Sequence, residues 1–146
     1  MAYKGLFRPR NPKKYKGDPS NIIYRSRWEL RLMDYLDKHP DIVEWASEEF
    51  TIMYLHPVDK RPHRYFPDFW VKKKDKNGNI EVLVIEIKPE KQTREPVKPK
   101  RVSKTYINEC ITYSINKAKW EAAENFCKDR KWKFQIFTEK ELGLKF

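Results

Sequence analysis

At 146 residues the chain is long enough to bury one proper core, and a 14% share of aromatic residues argues against global disorder. Its net charge of +11 says nothing about the fold but favours an anionic partner, nucleic acid first. No apolar run approaches the ~20 residues needed to span a bilayer as a helix, so no membrane-spanning helix is expected.

Residues 1–24 read as a basic arm. Gly5, Pro9, Pro12, Gly17 and Pro19 interrupt any regular element, and Arg8, Arg10, Lys13, Lys14 and Lys16 supply charge. The stretch has no apolar segment of the kind a secretory signal needs. It reads equally well as a tail that touches DNA or a partner and as a solvated terminus. Residues 25–146 read as the core of a single domain spanning 1–146.

The run SRWELRLMDYLDK (26–38) predicts a helix. Ser26 is its cap, Glu29 completes a capping box, and His39-Pro40 ends it. Trp28, Leu32, Met33, Tyr35 and Leu36 form an apolar arc, and Glu29 falls inside that arc. A folded-back capping glutamate tolerates this position; so does a glutamate aimed at a buried site.

The sheet is expected within 42–88, with strands FTIMYLH (50–56), RYFPDFWVK (64–72) and IEVLVIEIK (80–88). The third strand is apolar on both faces, as a central strand would be. Pro67 marks an edge, a strand start or a bulge. Residues 89–104, rich in Pro and Lys, read as a long mobile loop. A helix over 106–129 follows, with Ile107, Ile111, Ile115, Ala118, Ala122 and Phe126 as its core face, and then a strand over 133–138. The two cysteines, Cys110 and Cys127, fall roughly 25 Å apart along that helix, too far for a disulfide. Reduced thiols imply a cytoplasmic site. Zinc is not expected: there is no CxxC, and His39, His56 and His63 show no ligand spacing.

Asp68 lies in one apolar strand, Glu86 in the next, and Lys88 two residues on, facing the same way as Glu86. An unpartnered buried carboxylate costs several kcal/mol, on the order of 2–7 even for a neutral polar group. A two-residue Asn77-Gly78 turn would put the two acids on opposite faces. A three-residue Lys76-Asn77-Gly78 loop pairs them directly, and such a loop wants Gly at its last position. Two carboxylates so close repel, and a divalent cation removes the conflict; hard oxygen ligands favour Mg²⁺ or Mn²⁺. A metal, an activated water and an ammonium group together suit phosphodiester hydrolysis. The plain alternative is a structural salt-bridge cluster, although buried ion pairs stabilise poorly.

Pro67-Asp68 followed by Glu86-Ile87-Lys88 resembles the PD-(D/E)xK nuclease superfamily. The resemblance implies an α/β, restriction-endonuclease-like core: helix, three strands, helix, strand, a mixed sheet flanked by helices. More of the chain is similar to the head-completion nucleases of T-even-like tailed phages, through GDP…YRSRWE, HPDIVEWASEEFTIMY, HRYFPDFW and VIEIKP. The same elements, with TEKEL near the end, resemble the endonuclease subunit of heteromeric transposases. These resemblances imply a Mg²⁺- (or Mn²⁺-) dependent deoxyribonuclease acting on DNA before head–tail joining. Glu29, Asp68, Glu86 and Lys88 would be catalytic, and Asp68, Glu86, the Ile87 backbone carbonyl and Glu29 would hold the metal. Glu48 and Glu49 are rival acids. Phage head, portal or neck proteins would be partners, in the cytoplasm of the infected host or on the virion, with no membrane and no small-molecule cofactor. A non-catalytic head–tail adaptor and a transposase- or resolvase-type endonuclease are the alternatives. Arg25, Arg27, Lys72, Lys73, Lys117 and Lys119 are candidate phosphate contacts, each equally readable as a solvated surface charge; Trp70 and Trp120 read as packing residues.

Overall fold

In the computed structural model, which describes residues 4–142, the chain starts with a small antiparallel hairpin of β1 (Gly5–Phe7) and β2 (Ile22–Tyr24) rather than a loose arm. The cause is burial and hydrogen bonding that a Pro- and Lys-rich composition conceals. Phe7, Tyr15 and Ile22 enter the main core, and the Tyr15 ring meets Trp45 edge-on at 4.7 Å. Asp37, only 1% exposed, accepts the backbone N–H of Arg10 at 2.8 Å and of Asn11 at 3.1 Å. Lys14 donates to the carbonyls of Asp37 and His39, at a helix end whose orphan carbonyls favour a cation. Residues 1–3 of the expected arm and the tail beyond 142 lie outside the described residues.

That helix is α1 (Arg27–Lys38), capped as its sequence predicts: Ser26 Oγ accepts from the Glu29 N–H at 3.1 Å. Its buried side chains are Leu32, Met33, Leu36 and Asp37, whereas Tyr35, expected on the apolar arc, is 52% exposed. Asp37 can lie inside because two backbone N–H groups replace its water.

Next come β3 (Ile42–Ser47), β4 (Ile52–Leu55), β5 (Pro62–Tyr65), β6 (Phe69–Lys74) and β7 (Ile80–Ile87). They are followed by α2 (Lys104–Asp129), β8 (Lys133–Phe137) and α3 (Glu139–Leu142). The main sheet runs β3-β6-β7-β8, antiparallel except for the parallel β7–β8 pair. The order helix, three strands, helix, strand therefore holds, but the first of the three strands is β3. The expected strand 50–56 does not join this sheet. Its β4 portion pairs with β5 in a separate hairpin, whose inward residues Ile52, Tyr54 and Tyr65 cluster with Ala123 of α2. The expected strand 64–72 is cut at Phe66-Pro67-Asp68, because Pro67 has no N–H to continue a ladder.

β7 lies between β6 and β8 with Leu83, Val84, Ile85 and Glu86 buried, as its apolar run implies. Helix α2 begins two residues earlier than expected, and its fully buried residues are Asn116, Trp120, Ala123 and Cys127. The expected face is turned: Ile115, Ala118, Ala122 and Phe126 are partly buried, while Ile107 and Ile111 are 48% and 41% exposed. Burial is confined to Asn116 and the residues after it, where the helix meets β4 and β8. Between β7 and α2 the segment expected as a loop holds a single 3-10 turn, Glu90–Thr93, with the Glu90 N–H donating to Glu139 Oε1 at 2.7 Å.

The β6–β7 turn decides where the acids go. The Asp75 N–H bonds the Asn79 carbonyl at 2.8 Å, so Lys76-Asn77-Gly78 is a three-residue loop, and Gly78 takes φ +80°. The register pairs Lys74 with Ile80 and Phe69 with Ile85. One step further out, Asp68 stands across from Glu86.

Replacing Asp37 with Ala should loosen the N-terminal hairpin. Hydrogen bonds to a charged group contribute about 1.5–3 kcal/mol each, so a loss of about 3 kcal/mol is expected in denaturant unfolding. A loss under about 1 kcal/mol would show that Asp37 does not anchor the segment.

Candidate active site

Asp68 comes from the break after Pro67, Glu86 and Lys88 from the end of β7, Glu29 from the first turn of α1, and Glu48 from the residue after β3. Asp68 Oδ2 accepts the Ile87 N–H at 2.8 Å, which locks its carboxylate against the end of β7. The Asp68 and Glu86 side chains are close enough to share a hydrogen bond, and Lys88 lies near both. The Lys88 N–H continues the β7–β8 ladder to the Phe137 carbonyl at 3.0 Å, which holds the backbone beneath that side chain.

The electrostatics are those of crowded acids. Burial pushes Glu86 up to about 8, and the adjacent Asp68 carboxylate adds to the rise while Lys88 opposes it. Asp68 keeps a solvent-accessible edge, yet the protein around it raises its pKa by burial; the Ile87 N–H, Lys88 and Arg25 pull back. Glu29 is pushed up to about 7, first by burial and then by Asp68 and Glu48. Glu48 is raised by burial against the pull of Arg25. The arrangement is a set of carboxylates short of positive charge, which is what a hard cation would correct.

Among the two rival acids the structure separates the roles. Glu48 faces Asp68 and Glu29, is ion-paired with Arg25, and has φ +52°, an uncommon conformation for a glutamate. Glu49 turns away to accept the Tyr15 hydroxyl at 2.7 Å. Tyr65, which sequence reasoning passed over, is 3% exposed, and its hydroxyl faces Glu86 and Asp68 without a well-formed hydrogen bond. Only the hairpin register, not the periodicity of the sequence, brings it there.

Of the candidate phosphate contacts, Arg25 stands at the acids through Glu48, and Arg27 is exposed on the first turn of α1. Lys119 lies 5.7 Å from the Tyr65 ring centre, and Lys117 is exposed on the same helix. Lys72 and Lys73 sit toward the far end of β6 from Asp68, and Lys72 is 3.7 Å from Glu44. Lys91 and Arg94, just past Lys88, line a groove against α2 residues Thr105, Asn108 and Thr112.

The family described as TnsA-like endonuclease N terminal matches residues 39–139, a span that holds Glu48, Asp68, Glu86 and Lys88 but not Glu29. The chain is also similar to the head completion nuclease of Enterobacteria phage T4. The two are 43% identical over 152 aligned residues, covering 99% of this chain and 99% of that protein.

The raised acids set a pH dependence. Glu86 and Glu29 bind protons more tightly in the folded state than at their ordinary value of 4.5, so folding takes up protons between about 4.5 and 8. Their contribution to stability is present in acid and is lost as pH rises through that window. Metal-free protein should therefore melt lower at pH 8.5 than at pH 5.5, and Glu86→Gln should flatten the decline. An equal decline in both proteins would remove Glu86 as its source.

Proposed function

The chain belongs to the TnsA-like endonuclease N-terminal family, and from this we propose that it is a metal-dependent DNA nuclease of PD-(D/E)xK type acting in phage head completion. That family implies a restriction-endonuclease-like fold, with which the mixed sheet and its flanking helices agree. The observation that carries the reading is the closeness of Asp68 to Glu86 across the β6–β7 register, with Lys88 beside them and more acids than cations around.

The donor set fits Mg²⁺ or Mn²⁺. Asp68 and Glu86 would hold the ion; Glu29, expected as a further ligand, stands near them, but the three carboxylates do not place one oxygen each within 4.8 Å of one another. The Ile87 N–H points at Asp68, and in an extended strand the carbonyl of the same residue leaves on that side, so it is available as a further ligand. When bound, the ion would polarise the scissile phosphate and lower the pKa of a water. The chain's own groups do the rest. Lys88 places an ammonium where negative charge develops on the phosphate. Glu29, near neutrality in its titration, can hold or release a proton at the edge of the site. Arg25 keeps Glu48 oriented and offers its remaining N–H groups to a backbone phosphate.

DNA would be bound mainly through phosphates, because the basic segments around residues 4–24, Lys72-Lys73-Lys74 and 89–103 offer, among the described residues, no α-helix for reading base edges. The similarity to a head completion nuclease supports portal or neck proteins as neighbours during assembly. Among the described residues, no helix is long and apolar enough to cross a membrane.

Incubating the purified protein with supercoiled and linear DNA, with Mg²⁺ or with chelator, tests the reading directly: cleavage is expected with the ion and none without it. Cleavage unaffected by chelator, or absent in every ion, would sink it. Lys88→Ala should lower the cleavage rate roughly 10²–10³-fold, the usual loss for one electrostatic group, with the melting temperature kept. DNA affinity should fall with log salt by roughly 0.9 for each phosphate contact, and affinity indifferent to salt would refute the phosphate-based mode.

A further inference from the structure

The turn end of the β4–β5 hairpin carries a second cluster, of different chemistry. We propose that His56, Asp59 and His63 form a binding site for a zinc-class transition-metal ion. Among the described residues these three alone place one ligand atom each within 4.8 Å of one another. His63 Nε2 lies 2.7 Å from Asp59 Oδ2, and His56 Nδ1 lies 3.8 Å from Asp59 Oδ1. Each histidine thus faces one oxygen of the Asp59 carboxylate, and the three ligand atoms fall within 4.8 Å of one another, where donor atoms around a tetrahedral ion with bonds of about 2.0 Å stand roughly 3.3 Å apart. Small side-chain rotations would close the set.

The hairpin builds this geometry where linear spacing does not suggest it. Register places His63 opposite Tyr54, two residues before His56, and the chain turns back through Lys60 at φ +62°. The His56 N–H bonds the Arg61 carbonyl at 2.9 Å, and the Lys60 N–H bonds the His56 carbonyl at 2.9 Å, so both ends of the loop are tied to His56. The two imidazole rings lie 4.4 Å apart, and Tyr54 flanks both, at 6.1 and 5.9 Å. His56 Nδ1 now accepts the Val58 N–H at 3.2 Å. An ion would displace that long bond, and an exposed loop N–H recovers it from water. Two imidazoles and one carboxylate select zinc-like ions over Mg²⁺, unlike the all-oxygen set at Asp68 and Glu86. Three protein ligands leave one position for water.

The consequence would be a staple. β5 leads through Tyr65 to Asp68, and Tyr54 packs with Tyr65 in the cluster on α2. An ion closing the turn would hold the hairpin that delivers Tyr65 to the acids.

The test uses the full chain, stripped with chelator and titrated with Zn²⁺ against a colour indicator, then with Co²⁺ followed by visible absorption. One zinc per chain is expected, together with the intense bands of tetrahedral cobalt and a higher melting temperature. His56→Gln and His63→Gln should each weaken binding by more than the roughly 10–100-fold typical of losing an outer-shell partner, and abolish the cobalt bands. The His63 side chain is 40% exposed and the His56 side chain 17%, so the metal-free melting temperature should stay near the wild type for His63→Gln and fall modestly for His56→Gln, whose ring also accepts the Val58 N–H. Glu86→Gln should leave zinc affinity unchanged. Equal zinc binding by wild type and His63→Gln, loss of zinc on Glu86→Gln, or a thiolate-to-cobalt band pointing to Cys110 would each overturn the assignment.

Discussion

Two carboxyl groups, Asp68 and Glu86, are set side by side by the register of one hairpin, where burial and each other's presence make it costly for both to be ionised. That cost is the constraint around which the rest is arranged. The three-residue turn at Lys76-Asn77-Gly78 sets the register, Pro67 ends β5 so that Asp68 can lean over, and the Ile87 N–H clamps it in place. An apolar pair would satisfy the same strands at lower cost. Keeping the acids makes sense where a cation and a phosphate are to be gathered.

The groups around the pair come from separate parts of the chain. Glu29 arrives on the first turn of α1, where its backbone N–H donates to Ser26 Oγ and the Ser26 hydroxyl donates back to its carboxylate at 3.3 Å, so its side chain is held close to the helix start. Glu48 arrives through a left-handed residue directly after β3, and its N–H bonds the Asp68 carbonyl at 3.2 Å. Backbone conformations of this kind cost of order 1–3 kcal/mol and persist where the surroundings over-determine them. Here Arg25, Asp68 and the strand end supply that determination. Tyr65 comes from the satellite hairpin on α2, which links the packing of the second cluster to the acids.

The basic character of the protein divides into structural and available charge. Lys14 neutralises the end of α1, Lys72 sits by Glu44, and Lys140 by Glu90. Exposed pairs of this sort contribute little to stability, roughly 0–1 kcal/mol each, but they do reduce the charge left for a polyanion. The charge that remains near the acids is carried by Lys88, by the spare donors of Arg25, and by Lys91 and Arg94 along the groove beside α2.

Local chemistry made several features legible in the sequence. The Ser26 cap and Glu29, the central β7 strand and the Gly78 turn depend on neighbours within a few residues, and each stands where its pattern implies. Counting across that turn allows the pairing of Asp68 with Glu86 without forcing it; the bond of the Asp75 N–H to the Asn79 carbonyl, which makes the loop three residues long, decides it. What the sequence could not convey depends on partners far along the chain. Residues 1–24 looked like an arm because Pro and Lys dominate, yet Asp37 and Trp45 supply the contacts that fold them. β3 was hidden because IVEWAS has no alternation, and residues 50–56 looked like a sheet strand because β4 is one, only in another hairpin. On α2 the period was readable, but the burial depends on where β4 and β8 touch it. Likewise Glu48 and Glu49 are equivalent as letters, and His56, Asp59 and His63 are unremarkable in spacing. Which acid faces the site, and that the three donors meet at all, is decided only when backbone direction and strand register are set in three dimensions.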